Sequence, residues 1–126
     1  MLFRSNIDLN GGTSRTITLG NTTYLYGGVI NGGQLIIDNG TGTGSRTFGV
    51  FSAGNYTAGT VVRTNAALAV GHDQALGGGD LVFTNTAGSG TAILRAATLS
   101  TDANQVRTIT NNIQVATGSE IGRAHV

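Results

Sequence analysis

The residues of this chain that could take part in catalysis or metal binding are few and far apart. His72 is followed directly by Asp73, and an imidazole beside a carboxylate is a pairing used for acid–base chemistry and for metal binding. Either role needs further groups, brought to the pair from other parts of the chain. The sequence places no such group nearby, so we predict that His72 and Asp73 belong to a corner without a chemical role.

A second candidate is the glycine-rich turn Gly77-Gly78-Gly79-Asp80. Turns of this kind bind calcium in β-rolls, where they occur as tandem nonapeptides of the pattern Gly-Gly-x-Gly-x-Asp-x-apolar. This chain has one imperfect copy, and a single copy supplies too few oxygen ligands for a calcium ion. We therefore predict no metal site and no cofactor.

The aspartates set the limits for an enzymatic role. They are scattered along the chain, at Asp8, Asp38, Asp73, Asp80 and Asp102. A polysaccharide lyase or hydrolase would need acids gathered on one face for proton transfer. Asp80 and Asp102 are spaced so that stacked repeats could bring them together, but two stacked carboxylates would need a calcium ion or a raised pKa. We predict no catalytic residues and no enzyme, with a carbohydrate-active β-helix as the alternative.

The tyrosines and the arginines bear on binding. Tyr24, Tyr26 and Tyr56 could form a sugar-stacking surface, although structural packing is favoured. The net charge is +1, and the basic residues are dispersed along the chain, at Arg4, Arg15, Arg46, Arg63, Arg95, Arg107 and Arg123. Dispersed charge does not follow a phosphate backbone, so we predict no nucleic-acid partner. No apolar run reaches the roughly 18 residues of a membrane helix, so we predict no membrane insertion by this segment.

The elements that position these residues are short strands. The chain has 21 Gly, no Pro, no Cys and 10% charged residues, and its apolar residues alternate with Thr, Asn and Ser over short stretches. The predicted strands are 6–9, 15–19, 23–26, 29–30, 34–38, 46–51, 59–63, 67–70, 80–83, 91–95, 98–99, 107–110 and 112–115. Strands this short, separated by frequent turns, suggest a sandwich, a barrel or a solenoid.

Internal repetition favours the solenoid. Arg15-Thr16-Ile17-Thr18 recurs as Arg107-Thr108-Ile109-Thr110, and Asn-Gly-Gly occurs at 10–12 and at 31–33. The predicted strands are also short for a sandwich. With roughly 20 to 25 residues in each rung, the chain predicts a parallel β-helix of about five rungs.

Several segments, taken in order, resemble the autotransporter-associated β-strand repeat. They are Gly54–Val62, which contains Asn-Tyr-Thr-Ala-Gly-Thr, then Leu68–Gly71, then Gln74–Phe83, which contains Ala-Leu-Gly-Gly-Gly. Leu9–Leu19 and Gly28–Ile30 are similar to other pieces of the same passengers. Ala58, Asn55-Tyr56 and Asp80 depart from the usual pattern, which blurs the register of the repeat.

This resemblance covers about residues 6 to 117 and implies a right-handed parallel β-helix. It implies a stalk within a large passenger that a C-terminal β-barrel exports across the bacterial outer membrane, with adhesive or aggregating surfaces as a further expectation. The implied location is the cell surface or the extracellular space. The implied partners are neighbouring rungs of the full-length passenger, a host surface or the passengers of sister cells.

The last seven residues differ from the rest of the chain. Glu120–Val126 corresponds to an in-frame reading of a common sequencing adapter, and the alternative is an ordinary final strand and turn. We therefore predict an uncapped β-solenoid fragment at 1–119 and a non-native tail at 120–126. In such a fragment both end rungs would expose strand edges, which invite association.

Overall fold

The structure is a computed structural model that describes residues 2–3, 5–20, 24–40, 44–84, 91–97 and 106–116. These residues form short strands and contain no helix. The strands are β1 (Leu2–Phe3), β2 (Ile7–Asp8), β3 (Ser14–Thr18), β4 (Tyr24–Tyr26), β5 (Ile30–Asn31), β6 (Gln34–Asp38), β7 (Arg46–Val50), β8 (Thr60–Val62), β9 (Ala66–Val70), β10 (Leu81–Phe83), β11 (Ile93–Ala96) and β12 (Ile113–Val115).

The strands form three parallel sheets that the chain visits in rotation. The first sheet has the order β1-β4-β7-β9-β11 and the second has the order β3-β6-β8-β10-β12, while β2 and β5 form a third, smaller sheet. All of the pairings between these strands are parallel. A chain that returns to each sheet one strand further along is a parallel β-solenoid, so the predicted all-β solenoid fold is confirmed.

Strand register shows that the circuits differ in length. Thr60 pairs with Leu35 on one side and with Leu81 on the other. The number of residues from Leu35 to Thr60 is similar to the number from Thr60 to Leu81. The next step, from Leu81 to Ile113, is about half as long again. We call each circuit a level, so that level 1 contains β1 to β3 and level 5 contains β11 and β12.

The predicted count of about five rungs is higher than the number of complete ones. The two large sheets contain five strands each. On the third face, β2 pairs with β5, and Asn31 of β5 forms an isolated bridge with Asn55 of the next level. About three rungs therefore have β pairing on all three faces. The later levels cross the third face as bends and turns, because residues 71–80 replace a strand there.

Ladders of stacked side chains fill the interior. In-register parallel pairing places equivalent side chains above one another, and alternate residues of a strand face opposite sides. The second sheet thus has two buried ladders, Leu35, Thr60 and Leu81 in one, and Ile37, Val62 and Phe83 in the other. Val61 and Val82 lie between them on the outer side and are partly exposed. A strand with apolar residues at alternate positions can close this core in only one register.

The corner that follows the third face depends on glycine. Gly33 and Gly79 have φ angles of +27° and +79°. A Cβ atom on Gly33 would overlap the Thr13 carbonyl oxygen, and one on Gly79 would lie 2.5 Å from the Gly59 nitrogen. Successive levels are therefore in backbone contact at this corner, which leaves no room for a side chain.

The Asn-Gly-Gly repeat is not a structural repeat. Asn31 pairs with Asp8 and Gln34 pairs with Ser14, so residues 32–33 of level 2 face residues 9–13 of level 1. Level 1 therefore has a longer chain at this corner, and its Asn10-Gly11-Gly12 bulges outward with positive φ at all three positions. The two copies lie at the same corner but at different register positions.

The two Arg-Thr-Ile-Thr segments are not structurally equivalent either. Arg15–Thr18 lies in β3 of the second sheet, whereas residues 107–110 form no strand and approach the third face, where the Thr108 nitrogen bonds to Asp73. Neither of the two repeats that favoured the solenoid therefore occupies equivalent register positions in the structure.

Most predicted strands are confirmed, and β6 has the predicted bounds. The others, apart from 98–99 and 107–110, agree closely at both ends. The prediction missed β1, which is too short to show a pattern. The predicted strand at 98–99 and the tail at 120–126 lie outside the described residues.

Candidate functional site

The third face of levels 3 to 5 carries two adjoining open depressions in the described surface, of about 300 and 370 Å³. Asp73 and Gln74 line both of them. The other lining residues are Gly54, Asn55, Tyr56, Thr57, Gly77, Gly78, Thr110 and Asn111 in the first depression, and Gly71, His72 and Arg107 in the second. The depressions form because the polar chain at 71–78 and 107–111 replaces regular strands.

His72 and Asp73 lie in this region and hold the chain in place. The His72 Nδ1 atom accepts a hydrogen bond of 3.0 Å from the Gln74 backbone nitrogen. The Asp73 Oδ1 atom accepts a bond of 3.2 Å from the Thr108 backbone nitrogen, which belongs to the next level. The first bond closes a local turn and the second ties level 5 to level 4. Both bonds fix the course of the chain at this corner, and the absence of a chemical role stays a prediction.

Arg107 lines the second depression together with His72 and Asp73. Its guanidinium Nε donates a hydrogen bond of 3.3 Å to the Ala97 carbonyl oxygen, and Nη1 donates one of 3.4 Å to the Val106 carbonyl oxygen. The side chain thereby connects the two segments of level 5 that flank residues 98–105. Sequence alone identifies Arg107 as one of the dispersed charges and as the start of the second Arg-Thr-Ile-Thr segment.

The glycine turn at 77–79 is occupied by an asparagine from the next level. Asn111 Nδ2 donates to the Gly77 carbonyl oxygen at 3.2 Å and to the Gly79 carbonyl oxygen at 2.8 Å. The Asp80 carboxylate accepts a hydrogen bond from Gln114 Nε2. These oxygens would have to turn toward one point to bind calcium, but here they bond to amide groups of level 5. The carbonyl groups of the turn therefore bind the Asn111 side chain of the next level.

The register places a residue other than Asp102 above Asp80. Leu81 pairs with Ile113, and the Leu81 nitrogen donates to the Asn112 carbonyl oxygen, so position 112 stands above Asp80. Stacking of the two aspartates would need a rung as long as their separation in sequence, but the step from Leu81 to Ile113 is much longer. Asp102 itself lies outside the described residues.

Asp38 has a cationic partner that the sequence analysis missed. Its Oδ2 atom lies 2.9 Å from Arg63 Nη1, and its Oδ1 atom accepts a bond of 2.7 Å from the Gly40 nitrogen. Both side chains are partly exposed, so the ion pair adds little stability. The contact could have been predicted from the separation of the two residues in sequence. This separation equals the number of residues between paired positions of β6 and β8.

Tyr56 is an interior residue. Its side chain is 1% exposed, and its hydroxyl lies 2.7 Å from Thr60 Oγ1. Burial raises the pKa of the Tyr56 phenol to about 12, against a smaller lowering effect of the Thr60 hydrogen bond. The packing role favoured for this tyrosine is confirmed. The side chains of Tyr24 and Tyr26 lie outside the described part of the structure.

The polar groups around the two depressions take part mainly in hydrogen bonds within and between levels. No group of three or more histidine, cysteine, aspartate or glutamate side chains in the described ranges is placed to hold a metal ion. Within the same ranges, no helix is long and apolar enough to cross a membrane. The depressions therefore present amides, hydroxyls, one imidazole, one carboxylate and one guanidinium, most of which already bond to neighbouring chain.

Comparison of the chain with protein-family models, with curated proteins and with solved structures finds no match. The solenoid fold therefore rests on the strand pairing described above. The likeness to autotransporter passengers rests on the sequence segments alone.

Proposed function

We propose that this chain is a stalk segment of an autotransporter-like passenger that is secreted or displayed on a bacterial surface. The main observation in support of a stalk is the continuous parallel stacking of five strands in each large sheet, around ladders of buried side chains. Each level contacts mainly the levels next to it, so the length of such a structure grows with the number of levels. A fold of this kind supports a spacing function directly.

The passenger assignment is supported by the ordered sequence segments at 54–62, 68–71 and 74–83, which fall on levels 3 and 4. In this proposal a separate C-terminal barrel anchors the passenger, and neighbouring levels of the passenger are its first partners. Host surfaces or the passengers of sister cells are the external partners. The segment binds no nucleic acid and no cofactor, and it catalyses no reaction.

The described carboxylates fit a structural role. Asp8 and Asp38 accept bonds from backbone nitrogens two positions ahead, while Asp73 and Asp80 bond to groups of level 5. Each of them stabilises a corner or joins two levels. This gives a specific reason to prefer the stalk over a carbohydrate-active enzyme, whose acids would point together at a substrate.

An export experiment tests the passenger assignment. The chain is placed between a signal sequence with an epitope and an autotransporter barrel, and intact cells are treated with protease. We expect the epitope to be removed from the cell surface while a discrete resistant fragment of the solenoid remains. The matched control Val62→Asp places a charge in the buried ladder and should leave no resistant fragment. Retention of the epitope in the periplasm, with a reference passenger displayed normally, would contradict the assignment.

The same cells test adhesion. Ser14, Thr16, Gln34 and Gln114 lie at outer positions of the second sheet, and their polar side chains can hydrogen-bond to another surface. We expect cells displaying the chain to settle faster than cells displaying the barrel alone. Equal settling rates would remove the adhesive part of the proposal and leave the stalk intact.

A further inference from the structure

Asparagine is followed directly by glycine at three places in the chain, at 10–11, 31–32 and 39–40. An asparagine in this setting is chemically labile, because the backbone nitrogen of the next residue can attack the side-chain amide. Glycine has no Cβ atom to hinder that approach. The attack needs a backbone nitrogen without an acceptor and a side chain that can turn toward it, and the three pairs differ in both respects.

Asn31 is held by the levels on both sides of it. It belongs to β5, where it pairs with Asp8 of level 1 and forms a bridge with Asn55 of level 3. Its Oδ1 atom accepts a hydrogen bond of 3.3 Å from Asn55 Nδ2, and the Gly32 nitrogen donates to the Asn55 carbonyl oxygen at 3.3 Å. The side chain and the attacking nitrogen are therefore both engaged, and reaction would require levels 2 and 3 to separate.

Asn39 is held at the end of β6. Its side chain is fully buried, and its Nδ2 atom donates to the Gly44 carbonyl oxygen at 2.6 Å. The Gly40 nitrogen donates to Asp38 Oδ1 at 2.7 Å. Reaction at this pair would require both hydrogen bonds to break and the amide to leave the interior, so it is limited by local opening of the chain.

Asn10 lies in the corner bulge of level 1 and is exposed. Its backbone nitrogen donates to Asp8 Oδ1 at 2.8 Å, which leaves the side-chain amide available. Within the described part of the chain, the Gly11 nitrogen has no acceptor and the Asn10 side chain makes no hydrogen bond. A Cβ atom on Gly11 would meet no atom within 4 Å, so the corner has room for a ring to form.

We propose that Asn10 is a site of spontaneous deamidation in the folded chain. The Gly11 nitrogen forms a bond to the Asn10 Cγ atom, and the side-chain amide leaves as ammonia with the proton of that nitrogen, which gives a succinimide ring. Water then opens the ring at either carbonyl, so that aspartate or isoaspartate remains and a negative charge is added beside Asp8. The proposal rests on the length of one corner and is independent of the stalk function.

Incubation of the purified chain at mildly alkaline pH, followed by peptide mass spectrometry, measures the three reactions separately. We expect Asn10 to deamidate at least about tenfold faster than Asn31 or Asn39 in the folded chain, because those two react only through local opening. In urea that unfolds the chain, the three rates should agree within about threefold, because each asparagine precedes glycine. The unfolded chain is thus a matched reference for the same three sequences.

The variant Asn10→Gln tests the assignment of the fast reaction, because a glutamine side chain would have to form a larger ring, which closes slowly. We expect the fast release of ammonia to disappear, while Asn31 and Asn39 react as before. Labelling by an isoaspartate methyltransferase should mark the Asn10 peptide of the aged chain and be absent from the variant. Equal rates at the three pairs in the folded chain, a faster reaction at Asn31 or Asn39, or fast ammonia release that persists in Asn10→Gln would overturn the proposal.

Discussion

Neighbouring glycines in the 77–79 turn have different roles. Gly79 has a φ angle of +79°, and a Cβ atom there would lie 2.5 Å from the Gly59 nitrogen and 2.6 Å from the Thr57 carbonyl oxygen. At Gly78 the nearest atom to such a Cβ would be the Thr57 Cα at 3.6 Å, which is an ordinary contact. Only one of the two positions therefore requires glycine.

Alanine substitutions should separate these roles. Gly79→Ala forces a side chain into the backbone of level 3 at positive φ, so we expect it to lower the free energy of unfolding by at least about 2 kcal/mol. Gly78→Ala should change the free energy of unfolding by less than about 1 kcal/mol. Urea denaturation of the two variants measures both values. Equal effects would show that the levels are not in backbone contact at this corner.

Tyr56 makes the free energy of unfolding depend on pH in the alkaline range. The phenol of an unfolded chain loses its proton near pH 10, whereas burial holds the pKa of Tyr56 in the folded chain at about 12. Between these values ionisation favours the unfolded chain, so the stabilising contribution is complete below pH 10 and is lost as the pH rises toward 12. The free energy of unfolding should fall by up to about 1.4 kcal/mol per pH unit in this window.

Denaturation at pH 9, 10 and 11 with Tyr56→Phe as the comparison isolates this effect. The variant loses the hydrogen bond to the buried Thr60, so we expect it to be less stable by about 1 kcal/mol at neutral pH. Its stability should then fall less steeply with pH than that of the unchanged chain. Parallel pH dependences would mean that Tyr56 is accessible to solvent.

At the level of elements, the β8 strand offers a test of the side-chain ladders. Val62 is fully buried, whereas Val61, its neighbour, is partly exposed on the outer side. Val62→Ala should cost about 2 to 3 kcal/mol, from lost burial and from the cavity between Ile37 and Phe83. Val61→Ala should cost less than about 1 kcal/mol, because its side chain lies on the outer side of the sheet. Thermal or chemical unfolding of both variants decides whether the register is as described.

The strands could be predicted from sequence because alternation and glycine-rich turns are local features. β6 shows this best, since Gln34–Asp38 contains a run of apolar residues between two turns. The stacking of residues could not be predicted in the same way, because rung length varies: the step from Ser14 to Gln34 is much shorter than the step from Leu81 to Ile113. The assumed rung of roughly 20 to 25 residues therefore suggests a stacking of Asp80 on Asp102 that the longer step between β10 and β12 does not support.

For the whole molecule, the central claim is that the chain is a stack of exchangeable levels whose number sets its length. Ile37 pairs with Val62, so deletion of residues 38–62 removes one level and joins positions that follow each other in register. Leu35 would then stack on Leu81, and Ile37 on Phe83, which keeps both ladders apolar. Deletion of residues 38–49 removes about half a level and is the matched control, because it joins strands of different sheets.

The most direct measurement is the distance between spin labels at Thr16→Cys and Gln114→Cys. The labels stand on one outer ladder, four strand spacings apart. With the 38–62 deletion we expect a folded chain whose label distance is shorter by one spacing, about 5 Å, whereas the 38–49 deletion should unfold. Loss of folding with the 38–62 deletion, or an unchanged distance, would contradict the stack of exchangeable levels.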